Sequence, residues 1–298
     1  GVGGSGIAGS LVKDVADLDI PIEVVNGYHL PRYANSNSLV ICVSYSGNTE
    51  ETLTQFVEAV KRKCFVISIT SGGKLLEWSN KFNIPVIRMP SGYQPRETIP
   101  YLFFGLIACL EKIGCDFSED KKEFLSLVSR IDLSKIDKIA DDIKNSIPVI
   151  YGVSGFSGVL RRIKNELNEN SKMIAKFEEF SELNHNEVVG FELFEYPDLS
   201  IVLLRDPDET AEFRKRIEMT KGIVETKVKN CNEIWTYGKS KLSKVMSLVY
   251  QGGCLSFKIA ELKGIDWKQT KTIDKIKEGL KELGVVEKLE KELGFISE

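Results

Sequence analysis

The chain is poor in the residues that build metal and redox centres. It has only two histidines, His29 and His185, and neither has a partner at metal-ligand spacing, which disfavours a zinc enzyme. The six cysteines, Cys42, Cys64, Cys109, Cys115, Cys231 and Cys254, form no Cys-x-x-Cys pair. Cys42, Cys64 and Cys109 lie in or beside apolar runs, so the set reads as buried or free thiols of a reducing compartment, the cytoplasm. Basic residues are not in excess, and a net charge of −3 leaves no footprint for nucleic acid. No apolar run reaches the ~20 residues of a membrane span, and no secretory signal is visible. The chain opens at Gly1, without methionine and inside a glycine-rich turn, which implies an N-terminal segment outside this numbering. An apolar share of 42% and a charged share of 28% over 298 residues describe a soluble globular protein with room for two domains.

What is present is a hydroxyl-rich turn between a strand and a helix. The run Leu39-Val40-Ile41-Cys42-Val43 reads as a buried strand, and Leu53, Phe56, Val57 and Val60 fall on one face of a following helix. Between them stands Ser44-Tyr45-Ser46-Gly47-Asn48-Thr49-Glu50-Glu51. The hydroxyls of Ser44, Ser46 and Thr49, with free N–H groups and the dipole at a helix start, suit a phosphate. No Gly-Lys-Ser/Thr follows, so a nucleotide with magnesium is disfavoured.

Strands and helices alternate along the chain. Strand candidates are Pro21–Val25, Leu39–Val43, Cys64–Ile69 and Ile84–Met89, and an apolar helix is expected near Thr98–Ile113. The alternation implies a parallel sheet with helices on both faces. A polar helical connector follows, and the pattern then recurs with a strand and glycine turn at Ile147–Gly155, strands at Leu199–Leu204 and Gly222–Val228, and a closing helix at Ser240–Lys263. This is a divergent tandem repeat of one α/β unit. The predicted organisation is a first domain over 1–118, a connector over 119–146, a second domain over 147–264 and C-terminal helices over 265–298. Where the first copy has Ser-Tyr-Ser-Gly-Asn-Thr, the second has Arg205-Asp206-Pro207-Asp208-Glu209-Thr210, whose acidic groups disfavour a phosphate. A cleft at the carboxyl ends of the strands is the expected site.

Other residues gain weight beside that turn. Gly3-Gly4-Ser5-Gly6 can form a second phosphate wall or simply pack closely. Gly1, Gly3 and Gly6 also fit a dinucleotide fingerprint, but the nearest acidic candidate, Glu23, falls inside a predicted strand and not at its end. Thr70-Ser71-Gly72-Gly73-Lys74 is a third turn, with Thr70 or Ser71 as helix cap. In Gly92-Tyr93-Gln94-Pro95-Arg96, Arg96 precedes a helix start, where the dipole disfavours a cation unless an anion is near; the alternative is an exposed arginine. Glu169, between Asn168 and Asn170, is a candidate general base or a solvated helical residue. His185, within Leu183-Asn184-His185-Asn186-Glu187, is a candidate acid/base group or a structural histidine. Thr270 and Lys277, seven residues apart, share one helix face.

With these motifs in hand the chain resembles the bifunctional phosphoglucose/phosphomannose isomerases, built from two sugar isomerase (SIS) domains. Gly3–Gly6, Ser44–Thr52, Thr70–Leu75, Gly92–Arg96, Asn168–Lys172 and Glu182–Glu187 carry the resemblance, which runs over essentially the whole chain. It implies an α/β fold of two tandem doubly wound, flavodoxin-like SIS domains with C-terminal helices. It implies that Gly4, Ser5, Ser44, Ser46 and Thr49 hold a sugar phosphate. Glu169 would move a proton between C1 and C2, His185 would assist ring opening from a neighbouring subunit, and Arg96 would stabilise an enediolate. Thr270 and Lys277 match C-terminal site residues of the family, and Trp267 stands where a proline is expected. The implied enzyme interconverts glucose 6-phosphate or mannose 6-phosphate with fructose 6-phosphate, as a homodimer, without metal or cofactor. The alternatives are a non-catalytic sugar-phosphate sensor, for which no DNA-reading element is visible, and an SIS isomerase acting on another phosphosugar.

Overall fold

The computed structural model describes residues 1–294. In chain order its elements are α1 (Gly4–Val15), β1 (Leu39–Val43), α2 (Glu50–Lys61), β2 (Phe65–Thr70), α3 (Gly73–Lys81), β3 (Val86–Arg88), α4 (Ile99–Lys112), α5 (Ser118–Leu127), α6 (Ser134–Ile143), β4 (Ile147–Val153), α7 (Ser157–Glu169), β5 (Lys176–Phe180), β6 (Tyr196–Arg205), α8 (Ala211–Val224), β7 (Val228–Trp235), α9 (Lys241–Leu262), α10 (Lys271–Lys281) and α11 (Val285–Glu292). The chain divides into two units. One holds residues Gly1–Val12, Leu18–Cys115 and the chain from Thr270 on; the other holds Lys13–Asp17 and Asp116–Gln269.

The first unit is built on a parallel sheet in the order β1-β2-β3. Its strands are short apolar runs covered by helices, as the burial of a parallel sheet requires. Cys42, Leu53, Phe56, Val57, Leu75 and Trp78 form one core with Leu289 of α11, and the Phe56 and Trp78 rings lie 6.2 Å apart. The last helix is tied down by ion pairs from Lys61 to Glu292 and from Lys74 to Glu290. The predicted strand at Pro21–Val25 is not one: residues 21–25 run irregularly. Pro21 lacks a ladder donor, and the Val25 carbonyl accepts the Gln55 side-chain amide instead of a strand partner.

The second unit carries a parallel sheet in the order β5-β4-β6-β7. Val149, Tyr151, Ile201, Leu203 and Ile217 lie at the centre of its core. The long helix α9 packs closely on α7, because Gly252 has no room for a Cβ against Ile163. Here the expected strand at Gly222–Val228 is corrected: α8 runs to Val224 and β7 begins at Val228. The edge strand β5 and helix α8 had no sequence-level counterpart. Among the described residues no helix is long and apolar enough to cross a membrane.

Candidate active site

In the first unit, β1, β2 and β3 all point the same way, so the segments that leave them emerge at one edge of the sheet. The serine turn leaves β1. Ser44 is fully buried and its hydroxyl pairs with that of Thr49 at 2.9 Å while accepting the Gly47 N–H at 3.1 Å. Ser46 is exposed, and its hydroxyl accepts the Asn48 N–H at 3.3 Å. Thr49 occupies the N-cap position of α2 yet makes no side-chain cap bond, because its hydroxyl faces Ser44. The start of α2 therefore receives no cap from Thr49, which leaves donors to offer an anion. Glu50 and Glu51 stand in that same first turn.

Three further segments surround this turn. In the glycine turn, Ser5 is buried and its hydroxyl accepts the Tyr45 N–H at 3.2 Å. The turn leaving β2 interlocks with the serine turn. Gly47 at φ +71° and Gly73 at φ +68° face each other's backbones, and a Cβ on Gly47 would collide with the Gly72 carbonyl. The α3 start is not capped by Thr70 or Ser71, as the sequence suggests. Asn48 reaches across to accept the Lys74 N–H at 3.0 Å, while the Thr70 hydroxyl serves Gly72. Lys74 itself is neutralised by Glu77 and Glu290. The segment after β3 carries Arg96 on a 3₁₀ turn at Pro95–Thr98, fixed by a reciprocal Gln94–Glu97 capping box. Arg96 is only 4% exposed, which overturns the exposed-arginine alternative. A Cβ on Gly4 would lie 3.0 Å from the Pro95 carbonyl and 3.6 Å from the Arg96 Cα, so glycine there lets the Arg96 turn approach. Cys42, beside the serine turn, is buried, and burial pushes its thiol up to about 12; it is protonated and inert at neutral pH.

Thr270 and Lys277 also belong to the first unit. Thr270 precedes α10 without capping it, and Lys277 lies exposed on that helix. His29 is tied to Glu58 at 2.6 Å.

The second unit holds Glu169 and His185. Glu169 is the last residue of α7 and is partly buried. Its two neighbouring amides build the helix end: Asn168 donates to the Met173 carbonyl at 2.6 Å and Asn170 to the Ser256 hydroxyl at 2.9 Å. Lys172, at φ +52°, turns the chain back and donates to the Gln269 carbonyl at 2.6 Å. His185 is exposed on a 3₁₀ turn at Glu182–His185, anchored by Asn184 donating to Thr220 at 2.7 Å.

The counterpart of the serine turn is closed by its own charges. The buried Arg205 meets Glu209 through two bonds of 2.8 and 2.9 Å, Glu218 at 2.8 Å and Glu233 at 2.7 Å, and lies 4.7 Å from the Trp235 ring centroid. Lys244 takes Asp206 and Asp208 at 2.9 and 2.6 Å. The start of α7 is occupied by Asp14, which accepts the Gly158 and Val159 N–H groups at 2.8 and 3.2 Å. The approach to α9 is occupied by Glu123, which accepts the Lys239 and Ser240 N–H groups at 2.8 and 2.9 Å. Among the described residues no group of three or more histidine, cysteine, aspartate or glutamate side chains is placed to hold a metal.

Sequence reasoning missed Tyr45 and Asn48 as the links between turns. A tyrosine amid hydroxyls reads as packing, and its partners are distant in sequence.

Residues 133–280 match the family described as the bacterial phospho-glucose isomerase C-terminal SIS domain. The chain is 38% identical over 308 aligned positions to a bifunctional phosphoglucose/phosphomannose isomerase of Caldicellulosiruptor bescii, covering 95% of this chain and 88% of that protein. It is 32% identical to a D-glucosamine-6-phosphate 4-epimerase of Sulfolobus acidocaldarius, covering 93% and 87%. Among solved structures, the C-terminal domain of the glucosamine-fructose-6-phosphate aminotransferase of Francisella tularensis matches with a TM-score of 0.68 at 17% identity, covering 90% of this chain and 84% of that one, a likeness of fold.

Proposed function

Because the chain belongs to the bifunctional phosphoglucose/phosphomannose isomerase family, we propose that it is an aldose–ketose isomerase interconverting glucose 6-phosphate or mannose 6-phosphate with fructose 6-phosphate through an enediolate. The observation that carries the phosphate half of this reading is the serine turn, with Ser46 exposed and Thr49 leaving the start of α2 uncapped. The phosphate is held by Ser5, Ser44, Ser46 and Thr49, with Gly4 giving backbone access. Binding there, away from the reacting carbons, supplies positioning energy.

In the open-chain aldose, the Glu169 carboxylate takes the proton from C2, and the electron pair moves toward C1 as its carbonyl becomes an enediolate oxygen. Arg96 stabilises that charge. Return of the proton to C1, with transfer between the two oxygens, gives the ketose. Delivery to C2 from either face would serve both aldoses. His185 assists ring opening, and Thr270 and Lys277 complete the site. This route of proton transfers calls for no metal or redox cofactor, and the enzyme is placed in the cytoplasm.

His185 acts across a homodimer interface in this reading. Its support is the number of exposed apolar side chains in the sequence that follows it, Val189, Leu193 and Phe194, and on α8, Met219 and Ile223. Mixing Glu169→Gln and His185→Ala chains should restore activity that neither has alone; no restoration counts against a shared site.

Coupled assays on glucose 6-phosphate, mannose 6-phosphate and a panel of other phosphosugars test the function. Turnover of the first two supports it. Turnover only elsewhere, as the epimerase relative makes specific, would assign a different phosphosugar reaction. Binding without turnover would make it a sensor.

A further inference from the structure

Tyr45 lies inside the serine turn, is only 6% exposed, and sends its three polar groups to three different segments. Its N–H donates to the Ser5 hydroxyl at 3.2 Å. Its carbonyl accepts the Ser71 N–H at 3.0 Å and the Ser71 hydroxyl at 2.7 Å. Its own hydroxyl donates to the Pro90 carbonyl at 2.9 Å and accepts the Tyr93 N–H at 3.1 Å. The first two groups are main chain and would be present with any residue at this position. The hydroxyl belongs to tyrosine alone. The segment it holds, from Pro90 to Tyr93, leads within three residues into Arg96. That segment contains Gly92 at φ +97°, a residue with little conformational preference of its own, so its path depends on outside ties.

We infer that the Tyr45 hydroxyl is a positioning group for Arg96: it fixes the segment that aims the guanidinium, while the phosphate grip of the serine turn does not depend on it. The inference rests on the isomerase reading for the role of Arg96. A displaced catalytic cation costs rate far more than binding, so the two effects separate.

The test is Tyr45→Phe, which keeps the ring and every main-chain bond. Its kcat on glucose 6-phosphate should fall about tenfold or more, with KM and the Kd for inorganic phosphate within about twofold of the parent. The Tyr93 amide should exchange with solvent faster in the variant, and the Gly47 amide at the parent rate. An unchanged kcat would overturn the inference. So would equal losses of kcat and phosphate affinity, the sign of general loosening. Unprotected exchange at Tyr93 in the unaltered chain would overturn it without any variant, so the test survives poor folding of Tyr45→Phe. Failure of the unaltered chain to turn over any of the three sugars is a different result, counting against the isomerase reading, and the phosphate and exchange measurements still decide the tether.

Discussion

The two units treat the same structural resource, the start of a helix beyond a parallel strand, in opposite ways. In the first, Thr49 turns its hydroxyl to Ser44 and leaves α2 uncapped. In the second, Asp14 fills the start of α7, Glu123 the approach to α9, and Thr210 caps α8 by accepting the Phe213 N–H at 3.4 Å. Arg205 likewise has carboxylates of its own chain around it. A helix start takes a ligand anion only where no carboxylate of the protein already accepts its N–H groups, because a tethered carboxylate has an effective concentration that a dissolved phosphate does not reach. Under the proposed function this difference assigns grip to the first copy and chemistry to the second: the uncapped turn is the proposed phosphate site, and Glu169 and His185 are the proposed catalytic groups.

The sharpest test of that division is Glu169→Gln. Its kcat should fall by on the order of 10²–10⁴ while the Kd for inorganic phosphate stays put. Calorimetry showing a parallel loss of phosphate affinity would break the comparison. In the opposite sense, Ser46→Ala removes a donor to a charged group, expected to cost about 1.5–3 kcal/mol, or roughly 10–100-fold in KM, with little change in kcat. Steady-state kinetics showing the loss in kcat instead would move Ser46 to the chemical step.

The carboxylates that close the second unit predict smaller effects with defined pH signs. For Glu123, burial pushes the carboxyl up, but the hydroxyl of Ser240 and the N–H groups of Ser240 and Lys239 outweigh it and hold the group down at about 2. Its stabilisation is present above the ordinary carboxylate range and lost as pH falls toward 2. Glu123→Ala should cost about 1–2 kcal/mol at neutral pH. The Tm gap should narrow in acid; a gap that widens would refute the assignment.

For Asp14 the sign is reversed. Burial raises its carboxyl to about 6, against the N–H groups of Val159 and Gly158 and the charge of Lys241, with Glu179 pushing the same way as burial. The folded state then holds the proton more tightly than the unfolded chain, so the group's contribution falls as pH rises from about 4 to 6. Asp14→Asn keeps a carbonyl oxygen for the two N–H groups without the buried charge. It should gain on the parent by about 2 kcal/mol across that window. Thermal melts at pH 4 and 7 would show it, and a relative loss at pH 7 would count against a buried, closing carboxylate.

Much of this architecture was legible where apolar runs were long. β1 matches its expected bounds, and α9 runs within a residue of the predicted Ser240–Lys263 at either end. What escaped notice lies at sheet edges. β5 is Lys-Phe-Glu-Glu-Phe and β7 opens Val-Lys-Asn-Cys-Asn; both are edge strands, and polar residues interrupt both faces of each, so neither shows the apolar run or the clean alternation that marks a strand. The apolar Ile223 and Val224 make Gly222–Val228 read as a strand, but they end α8. At the site, the serine turn could be read as an anion cradle from its residue types. Its bracing could not, since Tyr45 reaches Tyr93 and Asn48 reaches Lys74 across 48 and 26 residues. Nor did the amides around Glu169 reveal that they fasten the end of α7.

Gly47 and Gly73 stand with their backbones too close for any side chain between them. The serine turn is consequently not a portable part. A designer who grafted Ser44–Thr49 alone onto another sheet would deliver a loop moulded against a partner that is no longer there. The transferable module is the pair, Ser44–Thr49 with Thr70–Lys74, and the smallest scaffold able to receive it is two adjacent parallel strands.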